Sequence, residues 1–352
     1  MGGNALKEVE TRRYERDEYL ALEAEVLNRL RADFPNRRIE AIRAYRKKDS
    51  FGDMDVLIES DDLHRDLYAF RDLRRYVVER FNSKQAVTNG GVVSFEYKKF
   101  QIDLITTPST NFETSVNYFA WNDLGNLMGR IAHKLGFKYG HEGLSMTFRD
   151  GDYQYAEINL SKDPKAIVEF LGYDYDRFAA GFDTVQDIFD FTVSTEFFNK
   201  EIYALENRNH TSRTRDRKRK TYNQFLTWIE TAPNLPEYPW SSLKEQGGRE
   251  YKKQFMERAF KFFPSFKEQH DKVQAEFQLW KQSRENFNGD LVREWTGLQD
   301  QDLGKFMKFL REAHLGVMGK EAFQTFTVSA GQEGVKKWLK PIYDAYVKEM
   351  QK

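Results

Sequence analysis

Gly52-Asp53-Met54-Asp55-Val56-Leu57-Ile58 and, further along, Phe100-Gln101-Ile102-Asp103-Leu104-Ile105 decide the fold of this chain. Each sets aspartate into an apolar, strand-forming run. Carboxylates are costly in strand interiors, and Asp is depleted there. Side chains alternate across a strand, so Asp53 and Asp55 share a face. Asp103 on a neighbouring strand completes a cluster of like charges, stable when protonated or when it holds a cation. Three carboxylates suit hard divalent ions, Mg²⁺ first, with Mn²⁺ able to substitute. Two such ions about 4 Å apart are the usual machinery of in-line phosphoryl or nucleotidyl transfer. A lone Asp-x-Asp is as often a solvated turn. The pattern takes its meaning from the glycine before the pair, the apolar strand after it and the bracketed aspartate downstream.

The surrounding periodicity predicts an α+β fold. Residues 14–33 read as a helix with Tyr19, Leu20, Leu22, Val26, Leu27 and Leu30 inward, ended by Pro35-Asn36. Residues 38–46 and 53–59 read as strands. Residues 63–81 read as one helix, with Leu67, Phe70, Leu73 and either Val77 or Val78 inward. Asn89-Gly90-Gly91 marks a turn before strands over 92–97 and 100–106. This order predicts a small mixed sheet flanked by helices. Residues 111–175 read as mainly helix with one short hairpin around 145–158. From 176 on, the pattern is almost all helical, interrupted by Pro233, Pro236 and Pro239 around a loop at Trp240-Ser241-Ser242. Residues 250–263 form an amphipathic helix with Tyr251, Phe255, Ala259 and Phe262 on one stripe, and 266–284 another. Such aromatic stripes are more often core than base-stacking platforms. Gly289, Gly297 and Gly304 mark helix ends.

Tyr45-Arg46-Lys47-Lys48-Asp49-Ser50-Phe51-Gly52-Asp53-Met54-Asp55-Val56-Leu57-Ile58 resembles the palm signature of the family X DNA polymerases, the DNA polymerase beta group. The run from Phe100 to Pro108 resembles the strand that carries that family's third carboxylate. Asn117-Tyr118-Phe119-Ala120-Trp121-Asn122-Asp123, with Asn126 and Arg130 after it, is similar to the family's nucleotide-binding subdomain. The match continues through Ala132-His133-Lys134-Leu135-Gly136-Phe137 and from Leu160-Ser161-Lys162-Asp163 to Phe170-Leu171-Gly172-Tyr173. The resemblance implies a nucleotidyltransferase palm over 1–110, a helical nucleotide-binding subdomain over 111–175 and an all-helical nucleic-acid-binding domain over 176–352. It implies that Asp53 and Asp55 bridge two Mg²⁺ ions, and that Asp103 holds the ion that activates a primer 3′-hydroxyl. Arg46 and Gly52 would contact the triphosphate, helped by Arg43 and Lys47. Tyr118 and Phe119 would pack on the sugar, and Asn126 and Arg130 would meet the nascent pair and the template strand. The chain departs from the family at Ile42-Arg43, where the family has Gly-Ser, and at Phe51, Trp121 and Gly125. No counterpart of the family's lyase domain is read. Around 286–306 the pattern weakly resembles the helical body of tRNA nucleotidyltransferases.

Net charge is zero, with 55 basic and 55 acidic residues. A nucleic-acid enzyme must still be basic somewhere. One run qualifies: Arg208, Arg213, Arg215, Arg217, Lys218, Arg219 and Lys220, opposed locally only by Asp216. Arg213, Arg215, Arg217, Lys218 and Arg219 are the expected phosphate-backbone contacts, outside the carboxylate palm. The chain has no cysteine, which excludes disulfides, thiolate zinc sites and cysteine nucleophiles. Its six histidines show no metal-ligand spacing, and no Walker loop or Gly-x-Ser-x-Gly elbow is present. No apolar stretch reaches membrane-span length, and residues 1–10 lack a signal peptide's apolar core, so no membrane partner and a cytoplasmic location are expected. The expected partners are a nucleoside triphosphate and a nucleic acid, either a DNA primer-template or an RNA 3′ end. The leading reading is a DNA polymerase. Its competitors are a template-independent enzyme acting on RNA or tRNA ends, a non-catalytic nucleic-acid-binding protein on a degenerate palm, and an enzyme modifying protein or small-molecule hydroxyls.

Overall fold

The central strands pair as their apolar content demands. In the computed structural model, which describes residues 5–67, 70, 72–245 and 248–350, five strands form an open mixed sheet. Their order is Ile39–Ala41, Asp53–Glu59, Phe100–Thr107, Val92–Tyr97 and Ala86–Asn89. Asp53–Glu59 and Phe100–Thr107 run parallel at the centre, and the other pairings are antiparallel. A parallel pair needs a long crossover; here the intervening chain holds Leu73–Phe81 and the outer hairpin. One sheet face packs Met54, Val56, Ile58, Ile102 and Leu104 with Leu22, Val26 and Leu30 of the helix Arg16–Asp33. Leu20 instead stands 44% exposed, off that stripe.

Three expectations need correction here. The strand expected over 38–46 shrinks to Ile39–Ala41. Beyond it, Arg46 N and Lys47 N donate to Phe182 O and Asp183 O, at 2.9 and 2.8 Å, rather than to a strand. The helix expected over 63–81 is Leu63–Asp66 and Leu73–Phe81, with 68, 69 and 71 outside the described residues. Asp72 starts the second piece by accepting from Arg75 N at 2.9 Å, an N-cap that a continuous helix would not allow. That register buries Val77 and leaves Val78 outward. The hairpin expected near 145–158 is a three-stranded sheet of Lys138–Gly140, Gly143–Asp150 and Tyr153–Ser161.

From Tyr175 on, every regular element among the described residues is helical. Trp240 opens the helix Trp240–Glu245, where a loop was expected. Phe255 and Ala259 are buried in Gly248–Phe262, as their stripe requires, but Phe262 of the same stripe is exposed; the Tyr251 side chain lies outside the described residues. Gly297 caps its helix in the left-handed conformation, φ 74°. Gly289 opens that helix, and Gly304 lies inside Asp300–Leu310 rather than at an end.

By packing, the chain forms two compact units. One comprises Met1–Thr147 with Glu157–Phe266, the other Phe148–Ala156 with Lys267–Lys352. The second has its own core around Val292, Phe306, Leu310, Val335 and Leu339. No helix among the described residues is long and apolar enough to cross a membrane.

In the first unit, Leu124–Leu135 follows Phe112–Phe119 after a tight turn through Trp121 and Asn122, both at positive φ. Gly125 permits that turn, because a Cβ there would stand 2.2 Å from the Tyr118 carbonyl oxygen. Gly125→Ala must push the two helices apart. We expect it to cost about 1–3 kcal/mol, the usual range for overpacking, read as a lower urea midpoint. An unchanged midpoint would show that the helices do not meet there.

Candidate active site

The parallel register places Asp55 beside Asp103 and Asp53 beside Gln101. Alternation sends Asp53, Asp55 and Leu57 to the face away from the main core. On that face Leu57 packs with Phe112 and Val116, and Ile42, Ile105 and Phe119 close over them. The apolar floor ends at the Leu57–Ile105 pair; the next same-face pair along the ladder is Asp55–Asp103. Burial, then the charges of Asp53 and Asp103, push the Asp55 carboxyl up to about 8, against a smaller opposing pull from Lys48. Burial pushes Asp103 up to about 6, held back by hydrogen bonds from Ser94 and Gln101. The Gln101 amide donates to both Asp103 oxygens, at 3.0 and 3.1 Å. Lys48 is pulled down by its own burial, partly offset by Asp53 and Asp55.

This donor set fits a divalent cation. Oxygen donors of like charge on adjoining strands repel one another, and a bound cation relieves that repulsion as a proton does. The arrangement is not a closed ligand shell: among the described residues, no three His, Asp or Glu side chains are gathered so as to hold a metal ion. Asp53 and Asp55 border a cleft of ≈ 1250 Å³. Asp103 stands beside Asp55 but off the cleft lining, tethered by Gln101.

The same cleft is lined by Gly52, Arg43 and Phe119, and by Arg215, Lys218, Arg219 and Lys220. The basic run therefore does not lie apart from the carboxylate palm, as its sequence position suggested. Asp216, the acid inside the run, is fully buried and pairs with Arg208 at 2.8 Å and with Arg215 at 3.3 Å. Arg208 also donates to Tyr222 Oη at 3.0 Å, and that hydroxyl donates to Tyr203 O at 2.6 Å. Arg215 donates to Asn126 Oδ1 at 3.1 Å, and Arg219 pairs with Asp123. These contacts fasten His210–Asp216 and the start of Lys220–Ile229 against Leu124–Leu135. Arg213 folds back to Arg208 O at 2.8 Å, and Arg217 is exposed away from the cleft lining.

The other expected nucleotide contacts divide. Arg43 lines the cleft, its guanidinium 5.5 Å from the Trp121 ring centroid. Phe119 lines it while stacked on His141 at 5.6 Å. Tyr118 packs edge-on against Tyr139 and is not at the lining. Arg46 and Lys47 both pair with Asp183, at 2.7 and 3.4 Å, and neither lines the cleft. Asn126 is 9% exposed, and Arg130 is half-buried, its guanidinium pKa lowered first by burial and then by Arg208. Neither reaches the lining, and Asn126 Nδ2 and Arg130 Nε are buried without a hydrogen-bond partner among the described residues.

Sequence reasoning missed Lys48 and Lys220 as site residues. Lys48 ends the run Arg46-Lys47-Lys48; only the fold shows that it lines the cleft with Asp53 and Asp55, its ammonium 4.4 Å from the Phe51 ring centroid, while its two neighbours pair with Asp183. No protein-family model matches the chain, and no curated protein matches it.

The two raised carboxyls set a pH dependence. An unfolded Asp titrates near 3.9, so between about pH 4 and pH 8 the folded chain retains protons that the unfolded chain releases. Stability from this pair must therefore fall as pH rises through that window, by an amount on the order of a few kcal/mol. Urea unfolding at pH 5 and pH 8 should show the loss, Mg²⁺ at pH 8 should recover part of it, and Asp55→Asn should flatten it. A protein equally stable at both pH values would contradict the electrostatics described.

Proposed function

We propose that this chain is a metal-dependent nucleotidyltransferase that joins a nucleoside monophosphate to a nucleic-acid 3′-hydroxyl, with a family-X-like DNA polymerase as the leading form. The observation that carries the reading is the Asp55–Asp103 pairing, with Asp53 on the same face, beside a cleft that also holds Arg13, Arg43, Lys48, Arg215, Lys218, Arg219 and Lys220. In this reading residues 1–110 are the palm, 111–175 the nucleotide-binding subdomain and 176–352 a helical nucleic-acid-binding region. Asp53 and Asp55, with Asp103 once released from Gln101, would hold Mg²⁺. Bound there, Mg²⁺ supplies charge neutralisation at the reacting phosphate and lowers the pKa of the attacking hydroxyl. The hydroxyl oxygen forms the new bond to the α-phosphorus, the bond to the pyrophosphate oxygen breaks, and the hydroxyl proton leaves to solvent.

The chain's own residues position the reactants, which is most of what phosphoryl transfer asks of a protein. Gly52 leaves backbone open at the cleft beside the carboxylates. Phe119, braced by His141, offers an apolar wall to a sugar. The cleft exceeds the about 300–1,000 Å³ of a small-molecule pocket, which leaves room for a nucleotide and an acceptor end together.

A second reading, template-independent addition to RNA or tRNA 3′ ends, draws support from one observation. Asn126 and Arg130, the residues expected to meet a template pair, are tied up or buried away from the cleft. Incubating the protein with gapped DNA, blunt DNA and tRNA, with each of the eight nucleotides in turn, separates the two readings. Asp53→Asn, Asp55→Asn and Asp103→Asn should each lower transfer by at least about 10²–10³, the cost of removing one preorganised electrostatic group, with the fold retained. Turnover like that of the unaltered protein in any one of them would end the proposal.

A further inference from the structure

We infer that Lys218 and Lys220, with Arg215 and Arg219, form a polyphosphate clamp that takes the triphosphate of the nucleotide, a task the sequence resemblance assigned to Arg46 and Gly52 with Arg43 and Lys47 as helpers. This inference rests on the nucleotidyl-transfer reading and names the part of the site that binds the leaving group.

Four observations carry it. First, Arg46 and Lys47 are held outside the cleft by Asp183, which leaves Arg43 and Lys48 as the cations that the turn before the carboxylates brings to it. Second, four of the cations that share the cleft with Asp53 and Asp55 come from the one segment 215–220, alongside Arg13, Arg43 and Lys48. Third, these four are of two kinds. Arg215 and Arg219 are held by Asp216, Asn126 and Asp123, which fixes the segment in place. Lys218 and Lys220 are exposed within the cleft, and among the described residues neither has an acidic side chain at ion-pair distance. Fourth, Arg213 and Arg217, which a track along a duplex would also recruit, do not line the cleft. The ammonium groups of Lys218 and Lys220, in the same cleft as Asp53 and Asp55, leave a place for an anion. A polyphosphate chelating a divalent cation fills it, with the cation toward the aspartates and the outer oxygens toward the lysines. Lysine binds phosphate as a mobile point charge, so it can follow the departing pyrophosphate.

The test is calorimetric titration of the full chain with inorganic tripolyphosphate in the presence of a chelator, so that neither metal binding nor transfer enters the readout. The comparison ligand is a short single-stranded DNA oligonucleotide without a triphosphate. Lys218→Gln/Lys220→Gln should weaken tripolyphosphate binding about 100-fold, a charge-assisted contact being worth roughly tenfold each, and should change oligonucleotide affinity little. Both lysines are exposed, so the variant should unfold at the same urea midpoint; Lys218→Gln alone, with about a tenfold loss, serves if it does not. Unchanged tripolyphosphate affinity, or no binding by the unaltered protein, would overturn the clamp. An oligonucleotide loss as large as the tripolyphosphate loss would also overturn it and make the wall a backbone track. Failure of nucleotidyl transfer itself would show in the aspartate variants, and this titration would not register it.

Discussion

The parallel pairing of Asp53–Glu59 with Phe100–Thr107 is the constraint on which the rest depends. Its register is fixed by the apolar residues that alternate with the acids. Met54, Val56 and Ile58 must meet Ile102 and Leu104 in the core, and a slip by one residue would turn all of them outward. With that register fixed, Asp55 has no choice but to lie beside Asp103. The hydrophobic effect thus holds two carboxylates together against their repulsion; burial first, then like charge, raises both of their pKa values.

Positive charge is sorted by a few aspartates. Asp183 takes Arg46 and Lys47; Asp123 takes Arg219; buried Asp216 takes Arg208 and Arg215. A chain with zero net charge can therefore present a cationic wall, because the balance is struck residue by residue and leaves particular lysines over. Asp216 is the most consequential of the three. It lies inside the basic run in sequence, yet it is fully buried. A buried charge must be paired, and pairing it orders the run instead of merely diluting its charge.

What the sequence made legible was local or periodic. The two aspartate-bearing strands, the first helix (expected over 14–33, observed over Arg16–Asp33 after the short strand Tyr14–Glu15) and the mixed sheet all follow from alternation or from a 3.6-residue stripe. Alternation also puts Asp53, Asp55 and Asp103 on one sheet face, with Asp103 off the cleft lining. What it hid was non-local. Arg46 meets Asp183 across 137 positions, and Arg215 meets Asn126 across 89. No window along the chain contains such a pair. Arg46, Lys47 and Lys48 look equivalent as letters, and only the loop's docking onto Phe182 and Asp183 decides which one lines the cleft. The expected three segments likewise mark changes of pattern, whereas compactness groups the residues by contact.

The departure at Ile42-Arg43 takes its meaning from the same sheet. Ile42 N donates to Asp55 O at 2.9 Å, and the Ile42 side chain packs with Leu57, Phe112 and Val116. Arg43 O accepts from Trp121 N at 2.7 Å, which ties the turn to the next helix pair. This turn is therefore a brace. It fixes the backbone of Asp55 from one side while the Phe100–Thr107 strand fixes it from the other. A glycine-serine turn keeps its backbone free to approach phosphate oxygens; a turn that packs an isoleucine and bonds its own strand has given that freedom up. In the proposed reading, phosphate recognition therefore rests on side chains instead of backbone: Arg43 from this turn, and Arg215, Lys218, Arg219 and Lys220 from a segment that reaches the same cleft.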